Sequence, residues 1–547
     1  MCEKNNSLSA YAGRWVALVG DDVAGVGHTA EAAQQMAQRN RSKERSRPYF
    51  VEPQGGIRLA LPALLGELRP FLSQHPHAVY LVGGAVRDAV RGQASHDLDF
   101  TVAADAIRLT FKVADQLGVP AYILDKERDI GRVVLADTTL DFARLRGTLD
   151  DDLRERDFTV NAMALPATAQ FYESIIDPCG GLADLKARRL RLTHSQALQA
   201  DPVRALRAVR QSIELNLAMT AELETAVSTT APLLFQSASE RLREELGKLI
   251  AGPQPAAGVA LLHQLGLLTI LLPDMAKLDG LEQSPPHHEP VLDHTFSVLR
   301  WLVDIEKGVF GGTDQVDLAQ APIADRPGLA QALAPLRDHL QTHLSRPVDG
   351  GLTGRDLLRL AALLHDVGKG ETRTEENGRF RFITHEIVGA EMAARRLRQL
   401  TFSKEAVQYI KRIIRNHMRP LSLAQAQAAK PSRRAVYRFF KESGAAGVDV
   451  CLHALADHLA THNGPGEKPA WKRLLGLTGS LLDHYFNQKE TAVSPPPLLS
   501  GHDVIETLQI KPGPEIGRLL RLLEEAQATG QVTTHPQALA FIKQAAG

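Results

Sequence analysis

Two aspartates separated by one residue, Asp97 and Asp99, stand in an apolar segment that follows the glycine pair Gly83-Gly84. Side chains two apart on a β-strand point to the same face, so the two carboxylates can bind a divalent cation together. Glycines before a helix allow backbone N–H groups to approach a phosphate closely. The combination predicts metal-assisted nucleotidyl transfer, whereas either feature alone is more typical of a plain strand–turn–helix with solvated aspartates.

Alternating strands and helices are predicted to position these carboxylates, which indicates a mixed α/β domain over residues 78–165. The predicted elements are strands at 78–84, 97–102, 121–125, 132–136 and 139–145 and helices at 85–92 and about 103–117. The last of these strands carries a third carboxylate, Asp141, which can orient or activate a hydroxyl nucleophile. For Asp141 taken alone, a structural role is the stronger alternative.

An arginine suited to a nucleoside triphosphate follows in the segment DDDLRERDFTVNAMAL, residues 150–165. Arg156 and Asp157 precede a predicted apolar helix that begins near Thr159. The planar guanidinium group donates two hydrogen bonds at once to phosphate oxygens. This segment therefore predicts a contact with the nucleotide.

A second arginine segment, ADPVRALRAVR at 200–210, has the spacing of a base-reading helix. Asp201, Arg204 and Arg207 are spaced by three and are predicted to share one helix face, and Arg210 continues the row. An Asp acceptor beside an Arg donor can pair with the Watson–Crick edge of a base, so a protein helix could act as the template. The alternative is an intrahelical ion pair between Asp201 and Arg204.

A separate set of histidines and aspartates lies in the C-terminal half of the chain. Its members are His294, His365, Asp366, His385, His417 and Asp457. His365 and Asp366 end a predicted apolar helix, and with histidines from other helices such a pair can surround one or two metal ions. A lone buried histidine is more often a satisfied core residue, so the prediction depends on the whole set.

The composition is that of a globular protein. The length of 547 residues predicts about three to five domains. The three cysteines, Cys2, Cys179 and Cys451, are far apart and form no zinc pattern, which favours a reducing cytoplasm. No apolar run is long enough to span a membrane and the N-terminus lacks a signal-peptide pattern, so we expect a cytoplasmic protein. The net charge is zero, so nucleic-acid binding would depend on local basic patches.

Two basic segments, 186–210 and 411–441, are candidates for such patches. The first holds seven Lys and Arg residues against one acid, and the second holds nine and no acid. A run of charge is usually a solvated helix face. For the second segment, contact with phosphates is an equally good interpretation.

Residues 10–53 are predicted to form a small separate module with a hairpin around Gly20, a helix at about 29–39 and a short strand. After Asp184 the pattern becomes helical. Residues 307–350 have weak periodicity and many Gly, Pro and Asp residues, which predicts an inserted surface loop.

Four segments resemble, in order, the motifs of class II tRNA nucleotidyltransferases, the family of bacterial CCA-adding enzymes and their poly(A) polymerase relatives. They are GGAVRD (83–88) with DLD (97–99), RERDFTVNA (154–162), DPCGGLADL (177–185) and DPVRALRAVR (201–210). A further segment, LLHDVGKG (363–370), resembles the HD phosphohydrolase superfamily.

The first resemblance implies an α/β polymerase-β-like nucleotidyltransferase head followed by an all-α neck, an HD domain and a tail that holds tRNA. It implies that Asp97 and Asp99 bind Mg²⁺ and that Asp141 is the third active-site carboxylate. The residues that it implies contact the nucleotide are Gly83, Gly84, Arg87, Asp88, Arg156, Asp157, Asn161, Asp201, Arg204, Arg207 and Arg210. The second resemblance implies phosphoester hydrolysis with a divalent transition metal held by His294, His365, Asp366, His385, His417 and Asp457.

Two positions depart from the family pattern. The family usually has an acid before the Asp of the last motif, where this chain has Ala200. It often has two arginines before Asp-Phe-Thr, where the first is Glu155 in this chain. Asp201 and Arg204 are intact, so base reading should survive, while Ala200 bears on how firmly that helix is held and thus on C-versus-A fidelity.

The predicted domains are a small α+β module at 1–53, the head at 54–195, the neck at 196–279, the HD domain at 280–465 with the loop at 307–350, and the tail at 466–547. We expect the chain to add C and A from CTP and ATP to the 3′ end of tRNA, with no membrane and no obligate protein partner. Alternatives of the same class are A-only addition, CC-only addition and poly(A) synthesis. Those of another class are an HD phosphohydrolase with a nucleotide-sensing head and a tRNA-binding chaperone.

Overall fold

The computed structural model describes residues 8–53, 55–310, 326–426 and 430–546. The chain divides into two compact units, Met1–Thr230 and Ala231–Gly547. Within the described residues, no helix combines the length and the apolar character needed to cross a bilayer.

The N-terminal unit contains a six-stranded sheet, a three-stranded sheet and the helices that cover them. Its strands are β1 (Arg14–Val19), β2 (Asp22–Gly27), β3 (Arg47–Val51), β4 (Val79–Val82), β5 (Asp97–Val102), β6 (Ala121–Asp125), β7 (Ile130–Val134), β8 (Thr139–Arg144), β9 (Ala164–Pro166), β10 (Arg189–Leu190) and β11 (Ala218–Met219). Its α-helices are α1 (Ala30–Asn40), α2 (Ala63–Leu72), α3 (Gly84–Val90), α4 (Ala106–Leu117), α5 (Leu149–Arg154), α6 (Gly181–Lys186), α7 (Ala197–Ala200), α8 (Val203–Leu215) and α9 (Ala221–Thr230).

The larger sheet positions the predicted carboxylates at its centre. Its strand order is β6-β7-β8-β5-β4-β9, with β5 parallel to β8 and the other neighbours antiparallel. Along β5 the side chains alternate, so that Leu98 and Phe100 are buried while Asp97 and Asp99 are exposed on the opposite face. Phe100 stacks on Phe142 of β8 with ring centroids 4.7 Å apart. The apolar face therefore anchors the strands that carry the carboxylates.

The N-terminal hairpin around Gly20 is present as β1 and β2, and β3 completes a sheet of order β2-β1-β3. The expectation of a separate module is wrong in one respect, because buried residues of this sheet and of α1 belong to the same core as the six-stranded sheet. Trp15 of β1 meets Tyr80 of β4 at a centroid distance of 5.4 Å. Arg47 also donates a hydrogen bond of 2.9 Å to the carbonyl of Ser73. The sheet is distinct, but its packing is continuous with the head.

The apolar helix predicted from Thr159 is absent. Residues Thr159–Asn161 form one turn of 3₁₀-helix, and the chain then enters β9. The backbone N–H of Ala164 and the carbonyl of Ile176 are paired across the sheet edge. The run of apolar residues suited a buried strand as well as a helix, and sheet pairing decides between them.

The C-terminal unit is almost entirely helical. Its α-helices are α10 (Ser239–Ala251), α11 (Pro255–Gln264), α12 (Leu267–Leu271), α13 (Pro273–Ala276), α14 (Val291–Phe310), α15 (Arg326–Leu333), α16 (Arg337–Ser345), α17 (Gly354–Leu364), α18 (Lys369–Thr372), α19 (His385–Gln399), α20 (Lys404–Asn416), α21 (Arg419–Ala426), α22 (Arg433–Ser443), α23 (Ala446–Thr461), α24 (Lys468–Asn487), α25 (Gly501–Leu508), α26 (Pro514–Ala528) and α27 (His535–Ala546). Two short hairpins interrupt them, β12 (Pro347–Asp349) with β13 (Leu352–Thr353) and β14 (Arg373–Glu376) with β15 (Arg379–Phe382).

The prediction of a surface loop at 307–350 is wrong for residues 326–345. Residues 326–345 form α15, a 3₁₀ turn and α16. Leu336, Leu340 and Leu344 are buried, so this segment contributes to the core. Three of the nine proline and glycine residues that suggested a loop, Gly311, Gly312 and Pro322, lie in 311–325, outside the described residues.

The basic segment 411–441 is extensively ion-paired, which weakens the prediction of a phosphate-binding patch. Lys411 pairs with Glu391 at 2.7 Å, and Lys441 pairs with Glu524 of α26 at 2.5 Å. Arg434 and Arg438 of α22 both pair with Glu525, at 3.0 and 2.9 Å, and Arg419 pairs with Glu442. Glutamates outside the segment thus pair with five of its nine basic residues.

Candidate functional sites

The three predicted carboxylates of the head lie side by side. Asp99 of β5 and Asp141 of β8 are register partners in the parallel strand pair, and Asp97 precedes Asp99 on the same face. Thr139 Oγ1 donates a hydrogen bond of 2.7 Å to Asp97 Oδ1. Arg132 of β7 donates from Nε and Nη2 to the two oxygens of Asp141, each at 2.7 Å. One edge of Asp141 is therefore fixed by a guanidinium group.

Asp99 is at the centre of this negative charge. Loss of hydration, together with the charges of Asp141 and Asp97, raises the pKa of Asp99 against the opposing effect of Arg156. Its side chain nevertheless remains exposed to solvent on one side. Three neighbouring carboxylates with open access are a donor set suited to a divalent cation.

Gly83 lies between the carboxylate of Asp99 and the guanidinium group of Arg156. It directly follows β4 and has φ 74° and ψ −136°, a conformation that favours glycine. A Cβ at this position would lie 2.9 Å from Nη1 of Arg156 and 3.7 Å from Oδ2 of Asp99. The missing side chain leaves space between a cation and a carboxylate, and the amides of α3 begin directly after it.

Arg87 and Asp88 are joined in a network behind this turn. Arg87 donates from Nε and Nη2 to Asp88, each at 2.9 Å, and from Nη1 to Asn161 Oδ1 at 2.6 Å. Asn161 in turn donates to Asp157 and to Gln211, both at 2.9 Å. Arg87, Asp88 and Asn161 therefore brace the turn through protein contacts.

Asp157 is held ionised at the end of this network. Burial opposes its ionisation, but the charge of Arg207 and hydrogen bonds from Asn161, Arg207 and the amide of Phe158 outweigh it, so the pKa of Asp157 is lowered. The contact with Arg207 Nη1 measures 3.1 Å. The buried carboxylate of Asp157 therefore holds Arg207 of α8 against the turn that contains Asp157.

Beside the carboxylates lies a pocket of about 170 Å³, which we call the arginine pocket. Its lining residues are Arg146, Asp152, Glu155, Arg156, Asp157, Arg204 and Arg207. Four of the predicted nucleotide contacts line it, while Arg146, Asp152 and Glu155 were not predicted. Asp152 accepts a hydrogen bond of 3.3 Å from Arg156. Four guanidinium groups in so small a space fit a polyanionic ligand.

Asp201 does not share the helix face predicted for it. It lies in extended backbone between α7 and α8, and α8 begins at Val203. Its Oδ2 is 3.8 Å from Nε of Arg204, so the two residues are still neighbours. Arg210, farther along α8, pairs with Glu214 at 2.7 Å and does not line the pocket.

The histidine and aspartate set forms a buried cluster in the C-terminal unit. His294 lies 3.1 Å from Asp457, and Asp366 lies between His365 at 3.1 Å and His385 at 3.4 Å. Two groups can each surround a metal ion, His294 with His365 and Asp366, and Asp366 with His385 and His417. Asp366 belongs to both, and all six predicted residues are buried.

The imidazole orientations suit metal ligands. His365, His385 and His417 contact the carbonyls of Ala362, Phe382 and Ile414 through Nδ1, at 2.7–2.8 Å. Their Nε2 atoms therefore face the cluster. His365 Nε2 faces Asp366 Oδ2 at 3.1 Å, and Lys369 Nζ lies 2.7 Å from the same carboxylate oxygen. Imidazole nitrogens and a carboxylate that converge in a buried site are donors suited to a divalent metal, so the residues present fit such an ion.

Charge around Asp366 is balanced by neighbouring groups. Burial opposes its ionisation, but the charges of His365 and Lys369 hold the pKa of Asp366 well below its usual range. Lys369 Nζ lies 2.7 Å from Asp366. Burial and the charge of His365 lower the pKa of His417. The neutral imidazole of His417 is in the protonation state that metal binding requires, whereas the charge of Asp366 raises the pKa of His365 against the effect of burial, so a metal ion bound there would displace the proton of His365.

The sequence prediction missed three residues at this cluster, His287, Lys369 and His453. His453 stands four residues before Asp457 on the same face of α23, while Lys369 begins α18, three residues after Asp366 in the turn that follows α17. Burial and the charge of His365 lower the pKa of His453 to about 3. The cluster opens to a pocket of about 730 Å³, whose lining includes His287 and Arg381.

Both sites lie largely in segments that match known family models. Residues 79–148 and 137–191 match the poly A polymerase head domain, and residues 216–278 match the probable RNA and SrmB-binding site of polymerase A. Residues 330–469 match the HD domain. These matches confirm the predicted fold class, a polymerase-type head with helical regions and an HD domain.

Similar solved structures share the fold. The chain resembles a CCA-adding enzyme in complex with ATP, with a TM-score of 0.55, 18% identity and coverage of 89% of this chain and 95% of that one. A CCA-adding enzyme in complex with CTP gives a TM-score of 0.55, 18% identity and coverage of 89% and 96%.

Relatives in sequence cover nearly all of the chain. An A-adding tRNA nucleotidyltransferase of Deinococcus radiodurans is 35% identical over 87% of this chain and 97% of its own length. A CC-adding tRNA nucleotidyltransferase of Thermus thermophilus is 34% identical over 85% of this chain and 93% of its own length. The chain belongs to the tRNA nucleotidyltransferase family of enzymes.

Proposed function

We propose that this chain adds C and A nucleotides from CTP and ATP to the 3′ end of tRNA without a nucleic-acid template. The observation that carries the proposal is the group of Asp97, Asp99 and Asp141 on neighbouring strands, beside the arginine pocket. The names of the relatives, A-adding and CC-adding, support the same reaction.

We propose that Asp97 and Asp99 hold Mg²⁺ and that Asp141 completes the site. Bound Mg²⁺ would stabilise the charge that develops on the transferred and departing phosphates. Arg156, adjacent to Asp99 across the space at Gly83, would bind the triphosphate. The tRNA 3′-hydroxyl would attack the α-phosphate in line, its oxygen forming the new ester bond while pyrophosphate leaves.

Base selection would rest on Arg204, which lines the arginine pocket, and on the neighbouring Asp201. Arg204 already donates from Nη1 and Nη2 to the carbonyls of Ala197 and Glu155, both at 3.1 Å. Each of these nitrogens carries a second N–H. A guanidinium group fixed in this way would present those two donors to the base, and Arg207 would support it through Asp157.

Partial addition is the principal alternative, because the relatives include both A-adding and CC-adding enzymes. A gel assay separates these possibilities with three tRNA transcripts that end before CCA, after C and after CC, each supplied with Mg²⁺ and CTP, ATP or both. Stepwise growth to CCA on all three supports full addition. Growth of the CC-ending transcript alone, with ATP, would indicate an A-adding enzyme, and a stop after two C residues would indicate a CC-adding one. Long A tails would indicate a poly(A) polymerase.

A second function is supported by the buried cluster of the HD domain. We propose that His294, His365, Asp366, His385, His417 and Asp457 hold a divalent transition metal and that this site hydrolyses a phosphoester. Bound metal would supply an activated water nucleophile. Phosphodiesterase activity retained by an Asp97→Ala/Asp99→Ala variant would assign the hydrolysis to this site, and its loss would contradict the assignment.

The domain boundaries remain part of this proposal. We propose a head at 54–195, a neck at 196–279, an HD domain at 280–465 and a tRNA-binding tail at 466–547. The tail assignment is supported by α25, α26 and α27, which enclose a small core of their own.

A further inference from the structure

Glu155 is a carboxylate of the arginine pocket with no partner in the described part of the chain. The other two carboxylates of the pocket are engaged, Asp152 by Arg156 at 3.3 Å and Asp157 by Arg207 at 3.1 Å. The side chain of Glu155 is exposed and lines the pocket. Its capacity to accept hydrogen bonds is therefore available to a ligand.

The backbone of Glu155 fixes its position beside the base-reading arginine. Arg204 Nη2 donates to the carbonyl of Glu155 at 3.1 Å, and Arg204 Nε lies 3.8 Å from Asp201. Nε and Nη2 form one edge of the guanidinium group, as they do in the contact of Arg132 with Asp141. Residue 155 and Asp201 therefore flank the same edge of Arg204.

We place the phosphates at Arg156, which borders the head carboxylates. A Cβ at Gly83 would lie 2.9 Å from Arg156 Nη1 and 3.7 Å from Asp99 Oδ2. The base is then placed at Arg204, whose guanidinium group contacts the backbone of residue 155. A free carboxylate would repel phosphate but not a neutral base, so its placement beside Arg204 fits the base.

We propose that Glu155 determines base specificity by accepting a hydrogen bond from the exocyclic amine that cytosine and adenine share. That amine has two N–H groups, so Asp201 and Glu155 can each accept one. Uracil and guanine present a carbonyl oxygen at the same place, which would face carboxylate lone pairs without a proton between them. The inference rests on the proposed C and A addition and adds an acceptor to it.

The test is single-nucleotide extension by the full-length protein of tRNA ending before CCA and after CC, with each of CTP, ATP, UTP and GTP alone. In Glu155→Ala we expect the UTP/CTP and GTP/ATP rate ratios to rise by about tenfold, the effect of one hydrogen bond to a charged group. Glu155→Gln should give a smaller rise, because its amide keeps an acceptor but adds a donor. Asp150→Ala is the matched control, since Asp150 is an exposed carboxylate of α5 paired with Arg154 at 2.6 Å outside the pocket.

Unchanged ratios in both Glu155 variants, or an equal loss with all four nucleotides, would contradict the role of Glu155 while leaving the proposed function intact. If the wild-type protein itself extends neither tRNA with CTP or ATP, the proposed function fails, and the inference fails with it.

Discussion

Arg132 holds Asp141 through two hydrogen bonds of 2.7 Å from directly opposed positions on the antiparallel strands β7 and β8. This contact fixes the third carboxylate of the head at the distance set by the sheet. We expect Arg132→Ala to lower the rate of nucleotide addition by about 10–100-fold, the usual effect of removing a group that orients a metal-site ligand. Steady-state extension of tRNA at saturating CTP measures it.

The control for Arg132 is Arg128→Ala. Arg128 lies in the turn that precedes β7, and its side chain is 79% exposed and pairs only loosely with Asp125 at 3.6 Å. A loss of activity of the same size in both variants would mean that Arg132 acts through general surface charge and not through Asp141.

Arg204→Ala should change base choice more than tRNA binding. The substitution removes the donors that we propose for the base and also the contacts with the carbonyls of Ala197 and Glu155. We expect the preference for CTP over UTP to fall by about tenfold or more, since each good two-point contact with a base contributes about 1–3 kcal/mol of discrimination. Misincorporation assays and tRNA filter binding measure the two effects. Unchanged discrimination would contradict a protein template; Arg154→Ala, on the exposed side of α5, is the control.

The amount of metal bound by the buried histidine and aspartate cluster should depend on which of its residues is substituted. Asp366 is shared by the two candidate ligand groups, whereas His385 belongs to one. We expect Asp366→Ala to lose bound transition metal from both groups and His385→Ala to lose it from one, as measured by elemental analysis of the purified proteins. Extension of tRNA should be unchanged in both. Wild-type metal content in Asp366→Ala would contradict the assignment of the cluster.

The buried pair of Arg359 and Glu306 should be a strong determinant of stability in the C-terminal unit. Arg359 Nε donates to Glu306 at 3.0 Å, and Nη1 donates to three carbonyls at the end of α10, at 2.8–3.1 Å. We expect Arg359→Leu to reduce the free energy of unfolding by about 3–5 kcal/mol, because an uncompensated carboxylate stays buried.

Urea unfolding followed by far-ultraviolet circular dichroism measures that loss. Glu306→Leu/Arg359→Leu should be less destabilised than Arg359→Leu, since it buries no lone charge. A double variant as unstable as the single one would place the effect in the carbonyl contacts of Arg359 and not in the ion pair.

Local patterns were sufficient to predict the strands that carry the head carboxylates. Asp97 and Asp99 alternate with the buried Leu98 and Phe100, and this period of two is legible in the sequence. Arg132 could not be predicted, because its contact with Asp141 depends on the register of the β7–β8 pair. Register is set by turns and packing that a single strand does not encode.

Helical patterns were less decisive. Asp201 fits the three-residue spacing of α8, but it lies in extended backbone before the helix begins. The leucines of α16 escaped prediction because they follow a stretch rich in glycine and proline. His453 is one helical turn before the predicted ligand Asp457 on α23, so spacing could have indicated it, whereas Lys369 follows Asp366 across a turn between two helices.

If Asp97 and Asp99 hold the metal that catalyses nucleotide addition, Asp99→Asn should impair addition and spare tRNA binding. The measurement is single-turnover extension of tRNA with CTP and ATP in Mg²⁺, together with tRNA affinity, for the wild-type and variant proteins. We expect tRNA binding of wild-type strength and an extension rate lower by more than about 100-fold, because a metal ligand should matter more than the groups that orient it. Extension by Asp99→Asn at a near-wild-type rate would mean that these carboxylates do not form the active site.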